Sequence, residues 1–328
     1  MSTGLIYRDA FLEHDTGPTH PERPDRLRAV MDALVKSHLL ADLVRLDFDA
    51  VGDTALATQH AEDYVKRVRS AAERGEAFVD SPECPLSPGT MRVAELAVGG
   101  VFAAVAAVMA GEVDNAFCAV RPPGHHAERD RAMGFCFFNH VALAAQRLLT
   151  HHGLARVAIV DFDVHHGNGT QHLFEHRGDV LFCSIHEHPM HLYPGTGFSY
   201  ERGEGEGHNL TVNVPLDPGA GDRAFRHALV YQVMPAINAF QPEFLLLSAG
   251  FDAARDDPLA HLEYTPEVFR WATGFLKKQA ERHCEGRLVS ILEGGYDLRS
   301  LGECAALHVR ALSRDADIDG TMAMKAGV

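Results

Sequence analysis

The chain has 328 residues, 46% of them hydrophobic, and a formal net charge of -15. That length and apolar content suffice for one large α/β domain or two small ones, and the acidic balance argues against direct nucleic-acid binding, which would demand a basic face. Six scattered cysteines (Cys84, Cys118, Cys136, Cys183, Cys284 and Cys304) form no CxxC pair, so they read as reduced core thiols and speak against a disulfide-stapled secreted fold. The opening MSTGLIYRDAF has no charged segment leading into an apolar one, and no uninterrupted apolar run is long enough to span a bilayer. The expectation is a soluble, cytoplasmic protein with no membrane partner.

In chain order, Leu5 to Tyr7 opens a sheet, and Asp25 to Ser37 has helical spacing. Thr90 to Ala110 reads as a long Ala/Val-rich helix ending near Gly111. Ala116 to Val120 is a short strand, Asn139 to His152 a helix, and Val157 to Val160 and Val180 to Ile185 are strands. Leu210 to Val214 is a less regular strand, and Ala224 to Ala239 a helix. Phe244 to Ser248 is continuous and apolar, as a strand buried on both faces should be. Pro266 to Arg282 is helical, Leu288 to Leu292 is the last strand, and Leu298 to Leu312 the last helix. Strands alternating with helices predict a central, mostly parallel sheet with helices on both faces. No Pro-, Gly- or Ser-rich linker and no repeat interrupts the pattern, so residues 1–328 read as a single domain, with a short loose tail from about residue 313.

The unusual residues cluster just past strand ends. RPPGHHA follows the Ala116 strand, DFDVHHGNG the Val157 strand, SAGFDA the Phe244 strand and EGGYD the Leu288 strand, while Ser184 to His186 ends the Val180 strand. The carboxyl rim of an open α/β sheet is where sites form. In DFDVHHGNG, alternation puts Asp161, Asp163 and His165 on one face and Phe162 and Val164 on the other. Two carboxylates and an imidazole on one face fit a metal ion: zinc, with Fe(II), Co or Mn as alternatives. Asp252 is the best third ligand. The competing reading is a buried salt-bridge network, which would need basic partners. Two Asp ligands would cancel a dication's charge, so water at the site would need a nearby base. His125 and His126, on a loop fixed by the Pro pair and Gly, are candidates. Tyr296, after two glycines, is placed to donate to a developing oxyanion. Gly134 and Phe135 suit a narrow apolar slot, with Tyr193 as an opposite wall.

RPPGHHAE, GFCFFN, VDFDVHHGNGTQH, PGTG, TVNVPL, SAGFDAARDDPL and EGGYDL occur in the order found in the zinc-dependent histone deacetylase family, and the chain resembles its class II branch. The resemblance implies the arginase/deacetylase fold and hydrolysis of an acylated amine. It places zinc on Asp163, His165 and Asp252. It makes His126 the general base and then acid, His125 an electrostatic aid, and Tyr296 the group that polarises the amide carbonyl. Phe135 and Tyr193 would line the acyl-lysine tunnel, with the Gly134 carbonyl facing the stem. One or two potassium ions are implied: the first at Asp161, Asp163, His165, Ser184 and Ile185, the second at Phe174, Arg177, Val180 and Leu210. Asn168 stands behind His126 where class I enzymes carry Asp. Polyamine-selective class II relatives carry Glu directly after the DP of the Asp252 motif. Leu259 occupies that position here, which favours acyl-lysine of a protein or peptide over a small acetylated amine. Asp80 and Glu83 lie where relatives carry rim residues that bind substrate. A non-catalytic acyl-lysine binding module is the third reading, and the intact His125, His126 and Tyr296 set argues against it. The oligomeric state is not legible.

Overall fold

The computed structural model describes residues 2–314. Eight strands form one sheet: β1 (Thr3–Ile6), β2 (Leu43–Arg45), β3 (Asn115–Cys118), β4 (Val157–Asp161), β5 (Val180–Glu187), β6 (Thr211–Leu216), β7 (Phe244–Ala249) and β8 (Leu288–Leu292). Their spatial order is β2-β1-β3-β8-β7-β4-β5-β6. Every pairing is parallel, which sharpens the expected mostly parallel sheet. Every residue of β3, β4, β5, β7 and β8 is buried, and only such strands tolerate helices on both faces.

The helices are α1 (Asp25–Lys36), α2 (Asp53–Leu56), α3 (Glu62–Glu73), α4 (Thr90–Met109), α5 (His140–Thr150), α6 (Asn168–Phe174), α7 (Asp222–Ala228), α8 (Met234–Phe240), α9 (Pro266–His283) and α10 (Leu298–Ser313). α1 packs on α10 and α10 on α9, while α4 packs on α5 and against β1 and β3. α4 is apolar and long enough to cross a membrane on length alone, yet most of it is buried inside the molecule. Gly99 brings α4 against the backbone of Asp49, where a Cβ would collide with the carbonyl oxygen. The single helix expected over 224–239 is α7 and α8 joined by a π-helical stretch, Leu229–Val233. Pro235 accounts for the break, since it has no N–H to return to the turn before it. Asn139 caps α5 by accepting from Ala142 N at 3.0 Å, and Asp297 caps α10 by accepting from Ser300 N at 2.8 Å. Of the expected loose tail, Ser313 closes α10 instead, and residues 315–328 lie outside the described residues.

The topology brings sequence-distant loops together. β3, β8, β7 and β4 are consecutive neighbours at the centre of the sheet. Their carboxyl ends carry RPPGHH, EGGYD, SAGFDA and DFDVHH respectively. Register keeps them level: Cys118 pairs with Ile291, Ser248 with Ile291, and Asp161 with Ser248.

Candidate active site

Asp163 and His165 follow β4, and Asp252 follows β7. One donor atom from each lies within 4.8 Å of the others, and all three residues are buried. His165 Nδ1 is 3.1 Å from Asp163 Oδ1 and 3.2 Å from Asp252 Oδ2. The other carboxylate oxygens are held by backbone amides: Gly294 N donates to Asp163 Oδ2 at 2.8 Å, and Val164 N to Asp252 Oδ1 at 2.9 Å. Gly294 and Gly250 are required there, because a Cβ on either would overlap these carboxylates. Among the described residues neither Asp163 nor Asp252 is ion-paired to Lys or Arg; the imidazoles of His125 and His165 are the basic groups beside them. Burial lowers the His165 pKa, but hydrogen bonds to Asp163 and Asp252 outweigh it and lift the group to about 10. Two buried carboxylates facing one imidazole make a site suited to positive charge. Two oxygens and one imidazole nitrogen converging on a point suit a divalent metal with an open position.

The two loop histidines stand side by side, their ring centroids 4.0 Å apart. His125 Nδ1 bonds Asp161 Oδ2 at 2.9 Å, and His126 Nδ1 bonds Asn168 Oδ1 at 2.7 Å. Burial depresses His125, but Asp161, Asp163 and Glu293 outweigh it and raise its pKa well above 6.5. For His126, burial and the neighbouring His125 and His165 act together and lower it well below 6.5. Burial lifts Asp161 to about 6, against the pull of His125.

Glu293 was not singled out by the sequence reading, yet it anchors this loop. Its Oε2 accepts from Gly124 N at 2.7 Å and from His125 N at 3.2 Å, and its Oε1 from Ser248 Oγ at 3.0 Å. The available signal was a carboxylate ending an apolar strand, which must find donors once buried. Asp257 is a second unforeseen brace. It accepts from Tyr296 N at 2.7 Å and Leu259 N at 3.0 Å, joining the two loops. Arg26 is the third: its Nε donates to Gly295 O at 2.6 Å, and its guanidinium lies 4.9 Å from the Tyr296 ring centroid. Burial raises the Tyr296 phenol well above 10.

A cavity of about 220 Å³ leads down to this cluster. Phe135, Tyr193, Leu192 and Leu259 wall it, and His126, His165 and Tyr296 form its lower end. Gly134 and Phe135 both adopt left-handed backbone, at φ 55° and 67°. Position 134 also requires glycine because a Cβ would strike the His126 ring. The Phe135 ring meets Tyr296 edge-on at 5.8 Å and the Tyr193 ring meets His126 at 5.2 Å.

Asp80 is not among the residues that line this cavity; its φ is 58°, and Arg67 Nε at 3.1 Å and Ala132 N at 2.8 Å donate to its carboxylate. Glu83 lines the mouth instead, its Oε1 accepting from Gly134 N at 2.9 Å and from the Tyr193 hydroxyl at 3.0 Å. His166 has no part in the site: it ties Thr196 to Gln171, at 2.9 Å each. Ser184 and Ile185 lie in β5, with Ser184 level with Asp161. Phe174, Arg177, Val180 and Leu210 fall at the end of α6, the following turn, the start of β5 and the residue before β6.

The histone deacetylase domain model matches residues 20–312. A protein from Archaeoglobus fulgidus named "Probable deacetylase" is 39% identical over 301 residues, covering 91% of this chain and 82% of its own. The polyamine deacetylase HDAC10 of Homo sapiens is 36% identical over 332 residues, covering 96% of this chain and 48% of its own. The solved HD domain of HDA15 superposes with a TM-score of 0.90 at 36% identity, covering 95% of this chain and 88% of that one. The fold is thus shared with the HDA15 HD domain. The chain belongs to the histone deacetylase family.

Proposed function

We propose that this chain is a zinc-dependent deacylase acting on acylated lysine side chains of peptides or proteins, in a reducing cytoplasm. One observation carries the reading: His165 of the metal-type cluster, the neutral His126 and the phenol of Tyr296 converge at the end of one narrow apolar-walled cavity. A divalent ion at Asp163, His165 and Asp252 supplies, when bound, Lewis acidity toward an amide carbonyl and a more acidic water. His126 is the base. Its Nδ1 faces Asn168, so its Nε2 is the free acceptor, and its lowered pKa keeps it neutral. It takes a proton from the water attacking the carbonyl carbon and returns that proton to the leaving amine nitrogen. His125 stays protonated on Asp161 and keeps positive charge beside the reacting atoms. Tyr296 keeps its proton and donates it in a hydrogen bond to the amide oxygen as charge builds there. Phe135 and Tyr193 flank the alkyl stem, and Leu259 gives it an uncharged wall. Potassium beside Asp161, Ser184 and Ile185, and at the Phe174 to Leu210 set, belongs to the same reading.

A second reading, deacetylation of small acetylated amines, has one observation in its favour: the Glu83 carboxylate at the mouth of an acidic protein would attract a cationic chain. Turnover of an acetyl-lysine peptide against acetylated putrescine, cadaverine and spermidine separates the two. We expect kcat/KM for the peptide to exceed that for each polyamine by about 10-fold, about 1.4 kcal/mol of transition-state preference. The reverse order would overturn the assignment.

A further inference from the structure

An amide, not a carboxylate, stands behind His126. A carboxylate can only accept, whichever way it turns, but an amide has an accepting and a donating side that exchange on rotation. With its oxygen toward His126, Asn168 accepts from Nδ1–H and leaves Nε2 bare. With its NH₂ toward His126, Nδ1 would have to accept, the ring proton would move to Nε2, and the ring could not take a proton from water. Something must fix that rotation.

Glu128, the last residue of RPPGHHAE, stands on the other side of the amide. Its Oε1 accepts from Asn168 Nδ2 at 2.5 Å. Nδ2 also lies 3.4 Å from His126 O and 3.3 Å from Met133 Sδ, both acceptors that favour the same rotation. Because Glu128 presents only acceptors, the amide has a single rotation that satisfies both neighbours. Glu128 is itself held from outside: His172 Nδ1 lies 2.8 Å from Oε1 and 2.9 Å from Oε2. The hydrogen bond to Glu128 raises the His172 pKa, so the imidazole stays a donor to the carboxylate. Beyond lies a solvent cleft of about 430 Å³, lined by Glu128, His172, Arg67 and Arg131. Glu128 is nearly buried and separates that water from the amide. Water, which donates as readily as it accepts, would hold neither rotation.

We propose that Glu128 is a positioning residue that fixes the Asn168 amide and thereby the Nδ1-protonated tautomer of His126, braced by His172. This rests on the reading of His126 as the base, so two separable readouts are needed. The first is ¹⁵N NMR of the His126 ring in the zinc-loaded protein, which needs no turnover. The wild type should show protonated Nδ1 and bare Nε2, and Glu128→Ala a mixture. An unchanged single tautomer in Glu128→Ala would overturn the inference even if the enzyme reading holds. The second is a kinetic cycle on an acetyl-lysine peptide. Glu128→Ala should lower kcat about 10-fold with KM little changed, well inside the ~10²- to 10⁴-fold that a general base supplies. Glu128→Gln, whose carbonyl can still accept from Asn168, should recover most of the loss. In an Asn168→Asp background, where no amide can flip, Glu128→Ala should cause no further loss. An equal loss in both backgrounds would make Glu128 merely structural. If the alanine variant does not fold, Glu128→Met fills the same volume and gives the same readings.

Discussion

Tyr296 is the residue whose role is most exposed to a single atom. Two elements hold its backbone and ring: Asp257 accepts its N–H at 2.7 Å, and Arg26 lies against its ring after bonding Gly295 O. Its hydroxyl can donate toward the cavity without carrying charge. Tyr296→Phe should therefore leave KM nearly unchanged and cut kcat by about 10²-fold or more, the size of one lost oxyanion donor. An unchanged kcat would show that the phenol lies off the reaction path. Tyr296, His126, Asp163, His165 and Asp252 were legible because each is a chemically distinctive side chain just past an apolar strand. Glu83 and Asp80 were not separable: three residues apart on one loop, they are told apart by partners distant in sequence, Arg67 and Ala132 for Asp80, Gly134 and Tyr193 for Glu83. Glu293 and Asp257 were read as parts of motifs without a task. Their task is to accept backbone N–H groups from loops more than a hundred and about forty residues away, and no local pattern encodes such a partner.

At the scale of elements, the strands that build the site were readable because both their faces are buried, leaving short, nearly continuous apolar runs. Their boundaries fell within a residue or two, as for Val157–Asp161 against the expected Val157 to Val160. What escaped were elements that show less. β2 has three residues, two of them exposed, and its place at the sheet edge asks little of its sequence. α6 begins at Asn168 inside the metal motif, where glycines and polar groups disguise a helix. α3 has buried Tyr64, Val65, Val68 and Ala71 at helical spacing and could have been recognised. Adjacency is the larger omission. Nothing local says that β8 lies between β3 and β7, and that order is what sets Tyr296 opposite His126. The right-handed crossover of parallel units restricts the choices without selecting this one.

For the whole molecule, the buried histidines tie stability to acid. Burial lowers His14, His60, His140 and His186 from the ordinary 6.5 to about 4, and His308 to about 3. His60 illustrates why: its Nε2 accepts from Asn139 N at 3.0 Å, which a doubly protonated ring cannot do. The unfolded chain takes up these protons near pH 6.5 while the fold refuses them until about pH 4. Their contribution is thus complete above pH 6.5 and is lost as pH falls through that window. At pH 5.5 each should cost about 1 kcal/mol, several kcal/mol together. The raised pKa values of His125, His165 and Asp161 act the other way, so the urea midpoint should fall between pH 7.5 and 5.5 by less than that sum, and a rise would contradict the burial of neutral rings. The central claim concerns the metal, and zinc titration of the stripped protein tests it most directly, with bound metal and acetyl-lysine peptide turnover followed together. Stripped protein should be inactive, activity should return in proportion to the catalytic zinc and saturate at one such ion per chain, and His165→Ala should regain neither. Turnover by the stripped protein, or recovery in His165→Ala, would contradict the account.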